Sequence, residues 1–305
     1  MDLRQLAALT AVADTGTFSA AADVLHTVQS NVSTHVARLE RELGATLVDR
    51  SAGRLTEEGE VVVARARRIA AELDALAADV ASLRDEVAGH VRLGVIGTTG
   101  RWLMPPLLTA MGVTHPKVEV AVLEGNTTSL LPQLASGAVD LAVVNLPVDD
   151  PDIAVEPIFE EDLIVVAPTS HPLAALDVAD IADLASHELL LTPPGNSIRT
   201  ELDKAAAAAG VELKAKAELD GLRLIASLTF EGFGAAVLPA SAVPRWLTGE
   251  WRRIPITGLG RRQVGVARRR RGLLSAPARA LQEVLAEVVT EQSKIQPGLD
   301  PLTDR

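Results

Sequence analysis

Within residues 3–43, apolar residues recur at helical spacing three times, and a turn closes each run. Leu3, Leu6, Leu9 and Ala13 share one face of a first helix, which ends at Gly16. Ser19 is placed to cap a second helix running to about His26, with Ala21, Ala22 and Leu25 facing inward. Thr27 and Val28 connect tightly to a third helix, ended by Gly44, whose Val32, Val36, Leu39 and Leu43 form one stripe. Its opposite face carries Gln29, Ser30, Ser33, Thr34, His35, Ala37 and Arg38. Two small helices supporting a polar third make the helix-turn-helix pattern, and Gln, Ser, Thr and Arg suit base edges or phosphates in a major groove. An ordinary solvated helix face has the same pattern. Residues 47–56 read as a small hairpin, or wing, with Arg50 and Arg54 flanking a Ser-Ala-Gly turn and suited to phosphate or minor-groove contact.

The spacing then predicts one long helix over residues 57–90. Val62, Ala66, Ile69, Leu73, Leu76, Val80, Leu83 and Val87 alternate in steps of four and three, an unbroken heptad seam, with Gly89 placed as its C-cap. Such a seam favours a homodimer over a helix lying on its own domain. A two-fold dimer would set two reading helices on a pseudo-palindromic site in double-stranded DNA.

Residues 91–292 change period. Strands at 91–97, at Val118, Val120 and Val122, and at 140–144 alternate with helices, the first helix beginning near Arg101. A second series has strands at 163–167, 189–191, 215–219 and 235–238, with helices from Ile198 and over 222–230. A strand at 264–267 and a helix from Ala276 close the region. Repeated strand–turn–helix units predict a parallel sheet with crossover helices, whose ligands bind at the C-terminal rim of the strands. Thr98, Thr99 and Gly100, then Thr127, Thr128 and Ser129, then Asn145 fall on that rim, and Asn196 and Ser197 can close on it from the second series. Hydroxyls at helix N-termini favour anions, although Ser, Thr and Asn are also ordinary caps. With Arg101 the only fixed charge nearby, the expected effector is a small polar molecule or monocarboxylate. The run Arg268–Arg271 reads as solvated or subunit-facing, and residues 293–305 as a frayed polar tail.

Composition narrows the function. The chain of 305 residues, 48% hydrophobic and 23% charged, is long enough for two or three domains. Absence of Cys removes disulfides, thiolate metal sites and Cys nucleophiles; absence of Tyr removes any Tyr-dependent site. The six His residues are His26, His35, His90, His115, His171 and His187, scattered without metal spacing. No metalloprotease, P-loop, nucleophile-elbow or dinucleotide motif occurs, so no catalytic residue, metal or cofactor is expected. No apolar run reaches membrane-span length and the N-terminus lacks signal-peptide character, so a cytoplasmic protein is expected. The net charge of −11 argues against non-specific affinity for nucleic acid. Residues 1–90 hold nine Arg and no Lys against fourteen acids, so DNA binding would depend on a few placed arginines.

The order of motifs resembles that of LysR-type transcriptional regulators. The residues that carry it are Gly16-Thr17-Phe18, Ala21-Ala22, Gln29-Ser30, Ser33, Val36, Leu39-Glu40, Leu43-Gly44, Leu47-Val48, Arg50 and Leu55-Thr56. Further phrases, VAPTSHPLA, GFGAAVLPASAV and VARRRRGLLSAPARAL, extend it to about residue 292. Val28 departs from the family's usual Ser or Thr cap, with Thr27 as a substitute; Thr34 stands where Arg is common; and the wing is short. The resemblance implies an α+β multidomain protein. Its parts are a winged helix-turn-helix at 1–56, a linker and dimerisation helix at 57–90, and a periplasmic-binding-protein-like effector domain of two α/β subdomains at 91–292. The subdomains would be 91–161 with 268–292, and 162–267, the chain crossing near 161–163 and again near 266–268, and the tail would be 293–305. It further implies a homodimer through the linker helix, a homotetramer, and RNA polymerase as a partner. An enzyme or a solute-binding protein on the same two-subdomain fold is the alternative. A solute-binding protein would need a secretory signal and no DNA-reading head.

Overall fold

The computed structural model describes residues 1–83 and 87–302, so residues 84–86 of the linker range and 303–305 of the tail lie outside it. The chain divides into two compact units, essentially the first 85 residues and the remainder.

In the first unit, α1 (Leu3–Thr15) starts at a capping box: Gln5 N–H donates to Asp2 Oδ1 at 2.9 Å and Asp2 N–H to Gln5 Oε1 at 2.8 Å. It ends at Gly16, left-handed with φ 75°. Thr17, not Ser19, caps α2 (Phe18–Val24), its hydroxyl accepting from Ala20 N–H at 3.1 Å. The chain turns one step earlier than the apolar pattern indicates, so α2 stops at Val24 and Leu25 lies exposed. Leu3 and Leu43 are exposed too, because they sit at helix ends that overhang the small core. Val28 precedes α3 (Gln29–Leu43) without a side-chain cap. Thr27 does not replace it: its hydroxyl accepts instead from Asn31 Nδ2. β1 (Val48–Asp49) and β2 (Arg54–Leu55) pair antiparallel as the wing. Glu40 Oε1 accepts from Leu47 N–H at 2.9 Å and Val48 N–H at 3.3 Å, which fastens the wing to α3.

Thr56 caps α4 (Glu57–Ser82), with three glutamates in the first turn where the helix dipole favours them. The helix is shorter than the heptad pattern predicts. Leu83 is its C-cap, Val87 falls beyond it, and Gly89 opens a strand rather than capping the helix. Ala66 is buried and Val62 half-buried against the unit's own core. Ile69, Leu73, Leu76, Val80 and Leu83 remain exposed along the rest of the seam.

The described residues of the second unit form a six-stranded sheet, a three-stranded sheet and a two-stranded pair. β3 (Gly89–Ile96), α5 (Gly97–Thr114), β4 (Val118–Gly125), α6 (Thr127–Ser136) and β5 (Leu141–Asn145) form parallel strand–helix–strand steps, with β3 paired to both β4 and β5. β6 (Ile153–Glu161) carries the chain out to β7 (Leu163–Pro168). There follow α7 (Ile181–Ala185), β8 (Glu188–Leu191), α8 (Ser197–Ala209), β9 (Lys214–Glu218), α9 (Leu222–Phe230), β10 (Ala236–Pro239) and β11 (Trp251–Pro255). β12 (Arg262–Arg269) returns beside β6, and α10 (Ala276–Ser293) and β13 (Leu299–Pro301) finish the unit. The first sheet has the order β13-β6-β12-β5-β3-β4; β7 is flanked by β10 and β11 in the second, and β8 pairs with β9.

The expected all-parallel sheet holds only for β3, β4, β5 and the β8–β9 pair. A chain that leaves along β6 and returns along the neighbouring β12 must run antiparallel, as β12 does to both β6 and β5. The return crossing lies before Arg262 rather than at 266–268. Val264, Val266 and Ala267 are buried in the first subdomain's core with Phe159, Leu281 and Leu285. The second core gathers Val165, Leu184, Leu202, Val237 and Ile254.

The tail is packed rather than frayed over its described residues. Gln296 is buried, donating to the Ala240 and Val243 carbonyls and accepting from Arg245 N–H, and β13 pairs with β6. Within the Arg run, Arg269 donates to the Leu134 and Val139 carbonyls, and Arg270 to those of Pro151 and Ile153. Both arginines therefore hold backbone carbonyls within the unit; Arg269 is half-buried, while Arg270 stays exposed to solvent as expected.

Candidate functional sites: a reading surface and a ligand cleft

On α3, Gln29, Ser30, Thr34 and Arg38 are exposed and Ser33 is half-buried. The helix is held from behind by Val32, Val36 and Leu39, all fully buried, so the polar face has a fixed orientation. Thr34 donates its hydroxyl to the Ser30 carbonyl, a bond internal to the helix. Arg50 lies 5.3 Å over the Phe18 ring, 3.4 Å from Ser33 Oγ and 3.8 Å from Glu40 Oε2. Arg54 stands exposed on the opposite strand of the wing. A cavity of about 760 Å³ opens between wing and helix, lined in part by Gln29, Ser33, Arg50, Gly53 and Arg54. The wing turn is stabilised by Asp49, which accepts from Ser51 Oγ at 2.6 Å and from the Ser51 and Ala52 N–H groups. Those bonds, the Ser51 hydroxyl first, hold the Asp49 carboxyl below its ordinary pKa. Phe18 entered the sequence reading only within the Gly16-Thr17-Phe18 motif and Asp49 not at all, because supporting roles leave no spacing signal.

If Arg38 reads a guanine, Arg38→Ala is expected to cost roughly 1–3 kcal/mol and to relax preference at one base position. Arg54→Ala is expected to weaken all sequences alike and to lower the salt slope by about one. Competitive titrations of each variant on a selected site and a scrambled one check both. Equal loss on both DNAs for Arg38→Ala would contradict base reading.

The second unit contains a cleft of about 330 Å³ where the two subdomains meet. Of the residues expected there, Thr98, Asn145, Asn196 and Ser197 line it. Thr99, Gly100, Thr127, Thr128 and Ser129 do not. Thr98–Gly100 are the first turn of α5, not a loop before it, and this winds Thr99 fully under the surface, with no hydrogen-bond partner for its hydroxyl. Gly100 packs on Val95. Thr127 Oγ1 accepts from Asn145 N–H at 3.0 Å, and Ser129 closes on the Asn126 backbone. Asn196 caps α8, accepting from Ile198 N–H at 3.0 Å.

The cleft is more highly charged than expected. Arg262, the first residue of β12, pairs with Glu161, the last of β6. The Arg262 side chain is 9% exposed and that of Glu161 fully buried. Glu161 Oε2 also accepts from Ser241 N–H at 2.8 Å, and Arg262 Nη2 donates to Thr98 Oγ1 at 3.1 Å. This bridge joins the two strands by which the chain passes between subdomains. Beside it, Arg261 contacts Glu160 at 2.5 Å, Asp162 at 2.8 Å and Asp300 at 2.7 Å. Across the mouth, Arg223 of α9 pairs with Glu124 of β4, passing over Gly97, where a Cβ would meet both side chains. Asp220 adds a further carboxylate to the lining. Arg101, expected as the nearby cation, instead lies 5.5 Å over the Phe230 ring, and burial, then Arg223, lower its pKa. The charges that matter stand at strand ends distant in sequence, where no local motif reveals them.

Among the described residues no group of three or more His, Asp or Glu side chains could hold a metal ion, and no helix is long and apolar enough to cross a membrane. His171 and His187 do meet, ring centroids 5.2 Å apart, although sequence spacing separates them.

Comparison with known proteins covers both units. Residues 3–60 match the bacterial regulatory helix-turn-helix protein, lysR family, and residues 84–290 the LysR substrate binding domain. A probable hydrogen peroxide-inducible genes activator of Mycobacterium leprae is 33% identical over 301 residues, covering 95% of each chain. Full-length OxyR from Pseudomonas aeruginosa, a cysteine-substituted form, superposes with a TM-score of 0.73 at 27% identity, covering 95% of both chains. Full-length CbnR in complex with its target DNA gives a TM-score of 0.69 at 26% identity, covering 96% of this chain and all of that one. With the polar-faced α3 and its wing in one unit and the two-subdomain cleft in the other, the chain belongs to the LysR family of DNA-binding transcriptional regulators.

Proposed function

We propose that this regulator senses a small polar or carboxylate effector non-covalently in the cleft of its second unit. In this reading it binds a pseudo-palindromic operator in the cytoplasm as a homodimer through α4, and assembles further to a homotetramer. RNA polymerase is its partner in transcription. Gln29, Ser30, Ser33, Thr34 and Arg38 face the major groove, with Arg50 and Arg54 on the backbone. The effector touches Thr98, Asn145, Asn196 and Ser197. The observation that carries the reading is that these four side chains come from both subdomains, beside the Glu161–Arg262 bridge between the crossing strands. A ligand with higher affinity for the closed arrangement shifts the subdomain equilibrium by that difference and so alters how the paired heads meet DNA. The test is operator titration with and without a metabolite panel, using the wild type and Thr98→Val. A true effector changes operator affinity in the wild type and loses its effect in the variant.

A second reading comes from relatives named as hydrogen peroxide-inducible genes activators. Peroxide chemistry in proteins runs chiefly through thiolates, and this chain has no Cys. Treatment with hydrogen peroxide is therefore expected to leave operator affinity and mobility unchanged. A reversible peroxide-dependent change would favour the second reading, with one of the three Met residues as the oxidised group.

A further inference from the structure

The charges around the cleft specify more than polarity. Arg262 is nine-tenths buried, yet only part of its guanidinium is committed. Nε and Nη2 are engaged with Glu161 and Thr98, while Nη1 has no partner among the described residues. Arginine carries five N–H donors in a fixed fork, so Nη1 keeps two for a ligand in the cleft that Arg262 lines. An acceptor is left over as well. Asn145 Oδ1 is buried, has no hydrogen-bond partner, and belongs to a cleft-lining residue. At the rim, Asp220 is exposed and makes no ion pair among the described residues.

We propose that the cleft takes a small zwitterion, a molecule bearing one carboxylate and one ammonium in the manner of an α-amino acid. The proposal rests on the cleft being the effector site. The carboxylate meets Arg262 Nη1 and the first turn of α5, whose N-cap Ile96 supplies no side-chain bond. The ammonium donates to Asn145 Oδ1 and faces Asp220. A simple carboxylate fits worse. Glu161 already neutralises Arg262 and Glu124 already neutralises Arg223, so Asp220 leaves the local balance negative and opposes a bare anion. A simple amine leaves the Arg262 donors unanswered in a nearly buried position, which is costly. A zwitterion answers both groups and adds no net charge. A ligand that lacks either end is rejected by the group it leaves unpaired.

Isothermal titration of the full-length chain tests this with three matched panels. They are the common L-amino acids, the carboxylic acids obtained by removing the amino group, and the amines obtained by removing the carboxylate. At least one amino acid is expected to bind, about tenfold or more tighter than either counterpart. Asp220→Asn should weaken that amino acid by about tenfold while leaving the deaminated acid unchanged. A deaminated acid or an amine that binds as tightly as its amino acid overturns the zwitterion, and so does the absence of binding across all three panels. If neutral metabolites then alter operator affinity through Thr98, the cleft stands as sensor and only the ligand class falls. If no small molecule does so, the cleft reading itself falls.

Discussion

Leu76→Glu is expected to leave the chain monomeric and to remove most of its operator affinity. Leu76 is 63% exposed in the single chain and sits mid-seam, between Leu73 and Val80 on the uncovered length of α4. In a two-fold pairing the substitution puts two unpaired carboxylates into an apolar seam, where each must be desolvated without a partner. A monomer then engages one half-site at a time and loses the effective-concentration gain of a linked pair, on the order of 10²–10⁴ in affinity. Sedimentation and operator titration at matched concentration check both parts. Val62→Glu is the wrong control, since Val62 already packs on its own unit. Asp74→Lys, at an exposed b position away from both the a/d seam and its flanking e and g positions, is the appropriate one. A Leu76→Glu chain that sediments as the wild type does would remove the seam from the account.

Glu161→Ala is expected to be the most destabilising single change in the second unit. It strands the Arg262 guanidinium, 9% exposed, and leaves Ser241 N–H without its acceptor. Removing one partner of a buried pair costs roughly 3–5 kcal/mol, because the remaining charge stays desolvated. At roughly 2–4 °C of Tm per kcal/mol for a domain of this size, the drop is of order 10 °C. The pair's net value is a separate quantity: Glu161→Leu combined with Arg262→Met is expected to recover much of the loss, since buried pairs often do little better than apolar replacements. Thermal denaturation of the three chains, followed by near-UV circular dichroism of the second unit's tryptophans, separates the two effects. A Tm for Glu161→Ala within about a degree of the wild type would mean that the bridge is solvated.

Much of the head was legible in the sequence because its determinants are local. The stripe of Val32, Val36 and Leu39, and the left-handed glycines at 16 and 44, describe helices without reference to anything distant. The same local logic failed at helix ends, where Thr17 rather than Ser19 takes the cap and Leu25 overhangs the core. In the second unit, β3 and β5 were readable as apolar runs, while β6 was not. β6 carries three glutamates and Pro157, tolerated because Pro157 stands opposite Gly265 at an irregularity in the pairing. The tail read as frayed because Gln296 looks polar until its carbonyl partners are known. The cleft divides the same way. Thr98 lies just beyond β3 and Asn145 ends β5, and both were found from that position, whereas Thr99 was misjudged because the helix begins at Gly97. Glu161 and Arg262 are joined only by the return of the chain across the subdomain boundary, which no spacing in the sequence encodes.

The most direct test of the account is selection of binding sites from random double-stranded DNA by the full-length chain, followed by footprinting of the enriched site. An interrupted palindrome is expected, its two half-sites protected on one face of the duplex with centres separated by a multiple of about 10 bp. Protection should be lost in an Arg38→Ala, Arg54→Ala double variant that still forms the wild-type oligomer. Failure to enrich any sequence above non-specific binding, or a footprint that survives the double variant, would contradict it.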